Sequence, residues 1–313
     1  MPKILCLHGH GTSAAIFKAQ TASFRAKLDK RYIFDFVDAP LPSAPAAGID
    51  AIYNSPTTYT WYRKPTRAAL RAAHGWVIEY ARINGPYDAV CCFSQGCSLA
   101  ATMALYHALE EETSGTGQGI EPLPFRAAIF ICGGVPLAAL QDLGLDVPPS
   151  AHEINQYTGA LLNGTAASLK DFASNPELVK VRRRHRSAGG GGLWDGNEGR
   201  LLHNASRRPE RRDIFGLDFM SFPRWAQIRI PTVHIYGGKD PRWPAGIQLA
   251  EFCPERVEYD HGGGHDIPRS TEVSDTIASL IRGVIDRMRK IPDMQKENDS
   301  LRLQQPVRLV STM

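Results

Sequence analysis

The chain has 313 residues, of which 43% are hydrophobic and 22% charged, and a formal net charge of +4. That balance excludes global disorder, and so small a net charge excludes a polycation built around nucleic acid. The length admits one large α/β domain or two small ones.

Much of the positive charge is local, in Arg182-Arg183-Arg184-His185-Arg186 and in Arg207, Arg208, Arg211 and Arg212. Neither aromatic interleaving nor an amphipathic helix accompanies these runs, so they read as solvated loops, with no nucleic-acid partner expected. No apolar run approaches the length of a membrane span, so no membrane partner is expected either. The six cysteines form no C-x-x-C pair and read as free thiols in a reducing compartment. The chain enters a strand straight after Met1-Pro2, which predicts a cytoplasmic protein.

In chain order, residues 3–7 form a first apolar strand. It runs into His8-Gly9-His10-Gly11-Thr12-Ser13 and then a helix over about 14–28. A second strand spans 32–37, and a Pro/Ala/Ser loop follows to residue 56. Next come the aromatic Tyr59-Thr60-Trp61-Tyr62 and a helix over 68–84 that stops at Gly85-Pro86. Residues 89–93 are a buried strand, and a helix runs from 98 to about 112. Further strands are expected at 125–132, 231–236 and 256–260, and an amphipathic helix at 272–288. Strands alternating with helices specify a doubly wound, mostly parallel sheet, whose chemistry collects beyond the carboxyl ends of the strands.

This organisation predicts one core domain made of residues 1–135 and 223–290. Residues 136–222 break the alternation and read as an inserted lid, with a mobile Arg/Gly-rich loop expected over 182–212. Residues 291–313 read as a polar tail.

The chain is organised around Ala89-Val90-Cys91-Cys92-Phe93-Ser94-Gln95-Gly96-Cys97-Ser98-Leu99. Strand, tight turn with a central serine, then helix is the pattern of a nucleophile elbow, G-x-S-x-G. Small residues are needed two positions to either side, because bulk there would strike the neighbouring strand and helix. Gly96 meets that demand, and Cys92 stands where the pattern has its first glycine. A serine needs a base to take its proton. Downstream, Gly237-Gly238-Lys239-Asp240 places a carboxylate just past a strand, and His265 lies in a glycine-rich turn after the next strand. The order Ser94, Asp240, His265 is that of α/β-hydrolases, with the acid orienting the base. Asp266 is a competing acid, ranked lower because it follows His265 directly. The backbone N–H groups of His10 and Gln95 are the expected oxyanion donors. Phe17, Trp61, Tyr62 and Trp243 are candidate pocket walls, with ordinary core packing as the competing reading for each. The catalytic set calls for no cofactor and no metal. Three glycines between His261 and His265 deny the helix that a zinc pair at that spacing would need.

Several stretches resemble the fungal FSH-type serine hydrolases: Leu7-His8-Gly9-His10-Gly11-Thr12-Ser13, Val37-Asp38-Ala39-Pro40, Asn84-Gly85-Pro86-Tyr87-Asp88-Ala89, Phe93-Ser94-Gln95-Gly96, Ile129-Phe130-Ile131-Cys132-Gly133-Gly134, and His261-Gly262-Gly263-Gly264-His265-Asp266-Ile267-Pro268. The resemblance covers most of 3–134 and 231–289. It implies an α/β-hydrolase fold and an esterase or thioesterase with Ser94, Asp240 and His265 as triad. It also implies a small-molecule acyl ester or thioester substrate, possible members of polyketide pathways, and delivery by a polyketide synthase carrier domain. Cys92 and the long insertion depart from the family pattern. The sequence leaves the oligomeric state open.

Three other readings compete. The same fold could serve carbon–carbon bond formation or cyclisation of a polyketide-type intermediate, or a non-catalytic binding role. Gly9-His10-Gly11-Thr12-Ser13-Ala14 also satisfies G-x-G-x-x-[GA] between a strand and a helix, with Asp35 and Asp38 near the place of a ribose-binding acid. That pattern suits an NAD(P)-dependent oxidoreductase.

Overall fold

The structure is a computed structural model describing residues 1–54, 56–115, 119–169, 193–197 and 199–303, with side chains described up to residue 290. Six strands form the main sheet: β1 (Lys3–Leu7), β2 (Ile33–Val37), β5 (Ala89–Phe93), β6 (Ala128–Ile131), β7 (Thr232–Tyr236) and β8 (Arg256–Asp260). Their order is β2-β1-β5-β6-β7-β8, and every pairing is parallel. A separate two-stranded antiparallel ribbon joins β3 (Leu41–Ser43) to β4 (Thr58–Thr60).

A strand's side chains alternate between faces, and here both faces are buried. Leu5, Leu7, Val90, Cys92, Ala128 and Phe130 enter one core. Their neighbours Ile4, Cys6, Cys91, Phe93, Ile129 and Ile131 enter the other. This is why β5 reads as an unbroken apolar run. The first core is covered by α4 (Arg67–Asn84), α5 (Gln95–Ser114), α6 (Leu137–Asp142) and α8 (Trp243–Glu251). The second is covered by α1 (Ala14–Gln20), α2 (Ala22–Arg25) and α9 (Thr271–Leu303). A short α3 (Ile49–Ile52) lies in the loop between β3 and β4, and α7 (Pro149–Ala167) lies in the insertion.

Local chemistry accounts for the helices. The hydroxyl of Thr66 caps α4 by accepting from Ala69 N, and the buried stripe Leu70, Ala73, His74, Val77, Ala81 follows helical spacing. Most of α5 is buried from Gly96 to Ala108, as its Ala/Leu/Met content requires. The helix expected over 14–28 is two helices that meet at Thr21, whose hydroxyl bonds back to Phe17 O. The final helix does not stop near residue 288. It continues to Leu303, so residues 291–303 are helical and only 304–313 of the expected tail lie outside the described residues.

Part of the basic surface is internally neutralised. Arg208 bonds Glu258 and Glu251, and Arg211 reaches Glu251 at 2.6 Å. Residues 182–186 lie outside the described residues. All six cysteines are buried free thiols. Among the described residues no helix is long and apolar enough to cross a membrane.

Candidate active site

Ser94 stands between β5 and α5 with φ 51° and ψ −111°, in backbone space that a non-glycine residue rarely occupies. The turn that creates this geometry is too tight for bulk on its far side. A Cβ added to Gly96 would sit 2.2 Å from the carbonyl oxygen of Leu7 on β1. The near side tolerates Cys92, which is fully buried between Leu7 and Phe130 of the flanking strands.

The loops after β7 and β8 bring the other two groups to this turn. His265 Nε2 lies 3.1 Å from Ser94 Oγ, and His265 Nδ1 lies 2.7 Å from Asp240 Oδ2. Asp240 is 1% exposed, and its second oxygen accepts from Arg242 N at 2.7 Å. The three side chains singled out from sequence therefore form one continuous hydrogen-bonded chain. Asp266 does not join it, because its carboxylate accepts from Trp194 Nε1 at 3.1 Å.

Glycines set how closely these loops approach. A Cβ on Gly237 would fall 2.1 Å from Gly263 O, and Lys239 N donates to that same oxygen at 2.8 Å. The loop after β7 thus owes Gly237 to its close packing against the turn that carries His265.

Gln95 N is the first N–H of α5, one of those left without an intrahelical acceptor. The Gln95 side chain is clamped: Oε1 accepts from Thr60 Oγ1 and Trp61 N, and Nε2 donates to Tyr62 O. His10 lies in the loop after β1, beside Ser94 on the same cavity wall, with its exposed ring bonded to Thr60. The neighbouring His8 is a structural group. Its Nε2 accepts from Ala39 N at 3.0 Å, and burial lowers its pKa from the ordinary histidine value. It ties the loop after β1 to the end of β2.

Two cavities meet at Ser94 and His265. The larger, about 730 Å³, is mostly apolar and includes Ile49, Ile52, Leu162, Ala166, Trp194 and Val273. The smaller, about 380 Å³, includes Tyr62, Ser98, Leu137, Asn155, Leu162 and Arg242. Of the four aromatics named from sequence, only Tyr62 lines either one. Phe17 is 1% exposed and packs edge-on to Phe36 in the core. Trp61 is also 1% exposed, with its indole N–H donating to His8 O. Trp243 stacks on His203 at 4.7 Å and lines a third cavity with it. Phe17, Trp61 and Trp243 are thus buried and line neither of the two cavities at Ser94.

Sequence reasoning missed how the insertion braces the site. Trp194 holds the His265 turn through Asp266, and His203 Nε2 donates to Gly238 O at 2.9 Å. Lys239 pairs with Asp195, and Arg242 bonds Asn155 and Thr158 of α7. Trp194, Asp195 and His203, inside the stretch expected to be mobile, thus bond the loops after β7 and β8. The rest of that expectation, 182–192, lies outside the described residues. No spacing in the chain signals these contacts, since they join segments with no common motif.

Cys132, Asp240 and His265 offer atoms within 4.8 Å of one another, a cluster small enough for a metal ion. The donor set argues against one. His265 already spends both ring nitrogens on Ser94 and Asp240, Asp240 spends its oxygens on His265 and Arg242 N, and burial raises the Cys132 thiol well above its ordinary value. The dinucleotide reading fails on similar grounds. Ala14 N, at the start of α1, already donates to Asp38 Oδ1, and Ile16 N donates to Ser13 Oγ. Asp35 is taken by the hydroxyls of Tyr80 and Tyr87. The N–H groups of Ala14 and Ile16 and both candidate acids are therefore already bonded within the protein.

A family model described as serine hydrolase (FSH1) matches residues 1–277. The chain belongs to that serine hydrolase family. Among its relatives, an esterase, alnB, of Emericella nidulans is 30% identical over 284 residues, covering 87% of this chain and 92% of the relative. The esterase FPY3 of Fusarium mangiferae is 27% identical, covering 90% and 96%. Among solved structures, acyl-protein thioesterase 2 of Zea mays is similar with a TM-score of 0.44 at 13% identity, covering 91% of this chain and 94% of that one. The parallel sheet with a serine elbow at the end of β5 is the α/β-hydrolase arrangement.

Proposed function

We propose that the protein hydrolyses a small-molecule carboxylic ester or thioester through an acyl-enzyme, with Ser94 as nucleophile, His265 as general base and acid, and Asp240 as the group that orients His265. The observation that carries this reading is the unbroken relay from Asp240 Oδ2 through His265 to Ser94 Oγ, with the serine on a strained elbow. As Ser94 Oγ attacks the carbonyl carbon, its proton passes to His265 Nε2. The carbonyl oxygen becomes an oxyanion held by the N–H groups of Gln95 and His10. Collapse breaks the bond to the alcohol or thiol, which takes the proton from His265. Water then attacks the acyl-enzyme by the same relay, releasing the acid and restoring Ser94.

The larger apolar cavity suits a bulky apolar portion of the substrate, which agrees with acyl products of secondary metabolism handed over by a synthase carrier domain. In this reading residues 136–222 are a lid. Leu162 and Ala166 of α7 and Trp194 roof the cavity, while contacts to both catalytic loops fix their positions.

The test is turnover of p-nitrophenyl esters and acyl thioesters, with mass spectrometry of the fluorophosphonate adduct. The wild type should hydrolyse them and carry the label on Ser94. Ser94→Ala should lose both while unfolding at an unchanged temperature. Retained turnover in that variant would place the nucleophile elsewhere.

A further inference from the structure

The smaller of the two cavities holds a permanent cation and no carboxylate among its lining residues. Arg242 is the N-cap of α8, two residues beyond Asp240, and is half-buried. Its side-chain bonds all leave from Nη1, to Asn155 O at 3.1 Å, Asn155 Oδ1 at 3.0 Å and Thr158 Oγ1 at 2.8 Å. The guanidinium carbon lies 5.2 Å from the Phe215 ring centroid. Among the described residues, Nε and Nη2 make no hydrogen bond, and Arg242 has no carboxylate within ion-pair distance. Asp240, the nearest acid in sequence, spends one oxygen on His265 and the other on the Arg242 main chain.

A guanidinium stays charged at any pH the protein meets, and taking it out of bulk water is costly unless an anion meets it. Here Nη1 and the ring of Phe215 fix the group in place, leaving one edge of its donor fork without an acceptor. Such an edge matches a carboxylate in a two-bond arrangement. A single cation balances a single negative charge, whereas a phosphate dianion would remain half compensated.

We infer that the part of the substrate entering this cavity carries a carboxylate, received by the Nε/Nη2 edge of Arg242. The preferred substrate is then an ester or thioester of an acidic molecule and not a simple alkyl ester. The inference rests on Ser94 being the nucleophile, because only that places the scissile bond at the mouth of this cavity.

Two matched pairs of esters test it. One pair carries the charge on the acyl side: p-nitrophenyl hydrogen glutarate against p-nitrophenyl methyl glutarate. The other carries it on the leaving group: the butyrate ester of 4-hydroxybenzoate against that of methyl 4-hydroxybenzoate. The wild type should favour the acidic member of one pair by roughly tenfold to a hundredfold in kcat/KM, mainly through KM, the range for a charge-assisted bond. Arg242→Gln should erase that preference. Arg242→Lys, which keeps the charge but loses the fork, should retain part of it. Fluorophosphonate labelling of Ser94 checks that each variant is folded, and if Arg242→Gln does not label, a reduced preference in Arg242→Lys takes its place. Equal use of acidic and neutral members in both pairs would overturn the inference, as would a preference unchanged by the substitutions. If the neutral esters are untouched and Ser94 does not label in the wild type, the hydrolase reading itself is what fails.

Discussion

Trp194 packs directly onto Gly264: a Cβ added to that glycine would fall 2.0 Å from the indole Cγ and 2.1 Å from Cδ2. The tryptophan comes from the insertion, and the glycine immediately precedes His265, which bonds Ser94 and Asp240. One contact therefore couples a wall of the larger cavity to the position of His265. Gly264→Ala should force the indole away and break its bond to Asp266. Overpacking of this kind costs about 1–3 kcal/mol, so the melting temperature should fall by a few degrees and kcat should drop with it. Unchanged kcat in a folded Gly264→Ala protein would show that His265 does not depend on this brace.

The bond between Asp240 and His265 predicts a large effect from a nearly isosteric change. Asp240→Asn keeps a hydrogen-bond partner but removes the charge that stabilises the imidazolium and selects its tautomer. kcat should fall by about three to four orders of magnitude, while Asp266→Asn, whose carboxylate faces Trp194, should cost far less. Steady-state kinetics on one chromogenic ester decides between them. The reverse ranking would transfer the orienting role to Asp266.

Two buried histidines contribute to the acid side of the stability curve. Burial pushes His74 down to about 3 and His234 likewise to about 3. In the unfolded chain such groups titrate near 6.5, so between about pH 6.5 and 3 the unfolded state binds the extra protons. Stability from each is complete above 6.5 and is lost as pH falls through that window, at about 1.4 kcal/mol per pH unit per histidine. Urea unfolding at pH 7, 6, 5 and 4 should show this decline. His74→Gln, which can keep the bond to Thr102 Oγ1, should flatten it. Parallel curves for the two proteins would count against the assignment.

Phe17 and Leu162 should separate stability from selectivity. Phe17 of α1 is buried in the second core against Phe36 and Phe93, so Phe17→Leu should lower the melting temperature and leave the ranking of acyl-chain lengths as it is. Leu162 lines both cavities at Ser94. Leu162→Trp should shift that ranking toward shorter chains with little loss of stability. The measurement is kcat/KM across a series of p-nitrophenyl esters, and a shifted ranking in Phe17→Leu would return that ring to the pocket wall.

The sequence by itself determined the parallel sheet and its elbow, and singled out the three residues that the structure links by hydrogen bonds. These features are written locally: a fully buried strand must be an apolar run, and a tight turn must have Gly96 where β1 passes 2.2 Å from any added Cβ. Each relay residue also lies at a strand end, where a parallel sheet gathers its loops. Only the tertiary structure decided which aromatics face the cavity, that Trp194, His203 and Asn155 of the insertion brace the loops after β7 and β8, and that among the described residues the side chain of Arg242 bonds no carboxylate. Those relations join segments up to 87 residues apart, and side-chain contacts at that range follow from packing geometry, which leaves no periodicity or spacing in the chain to read.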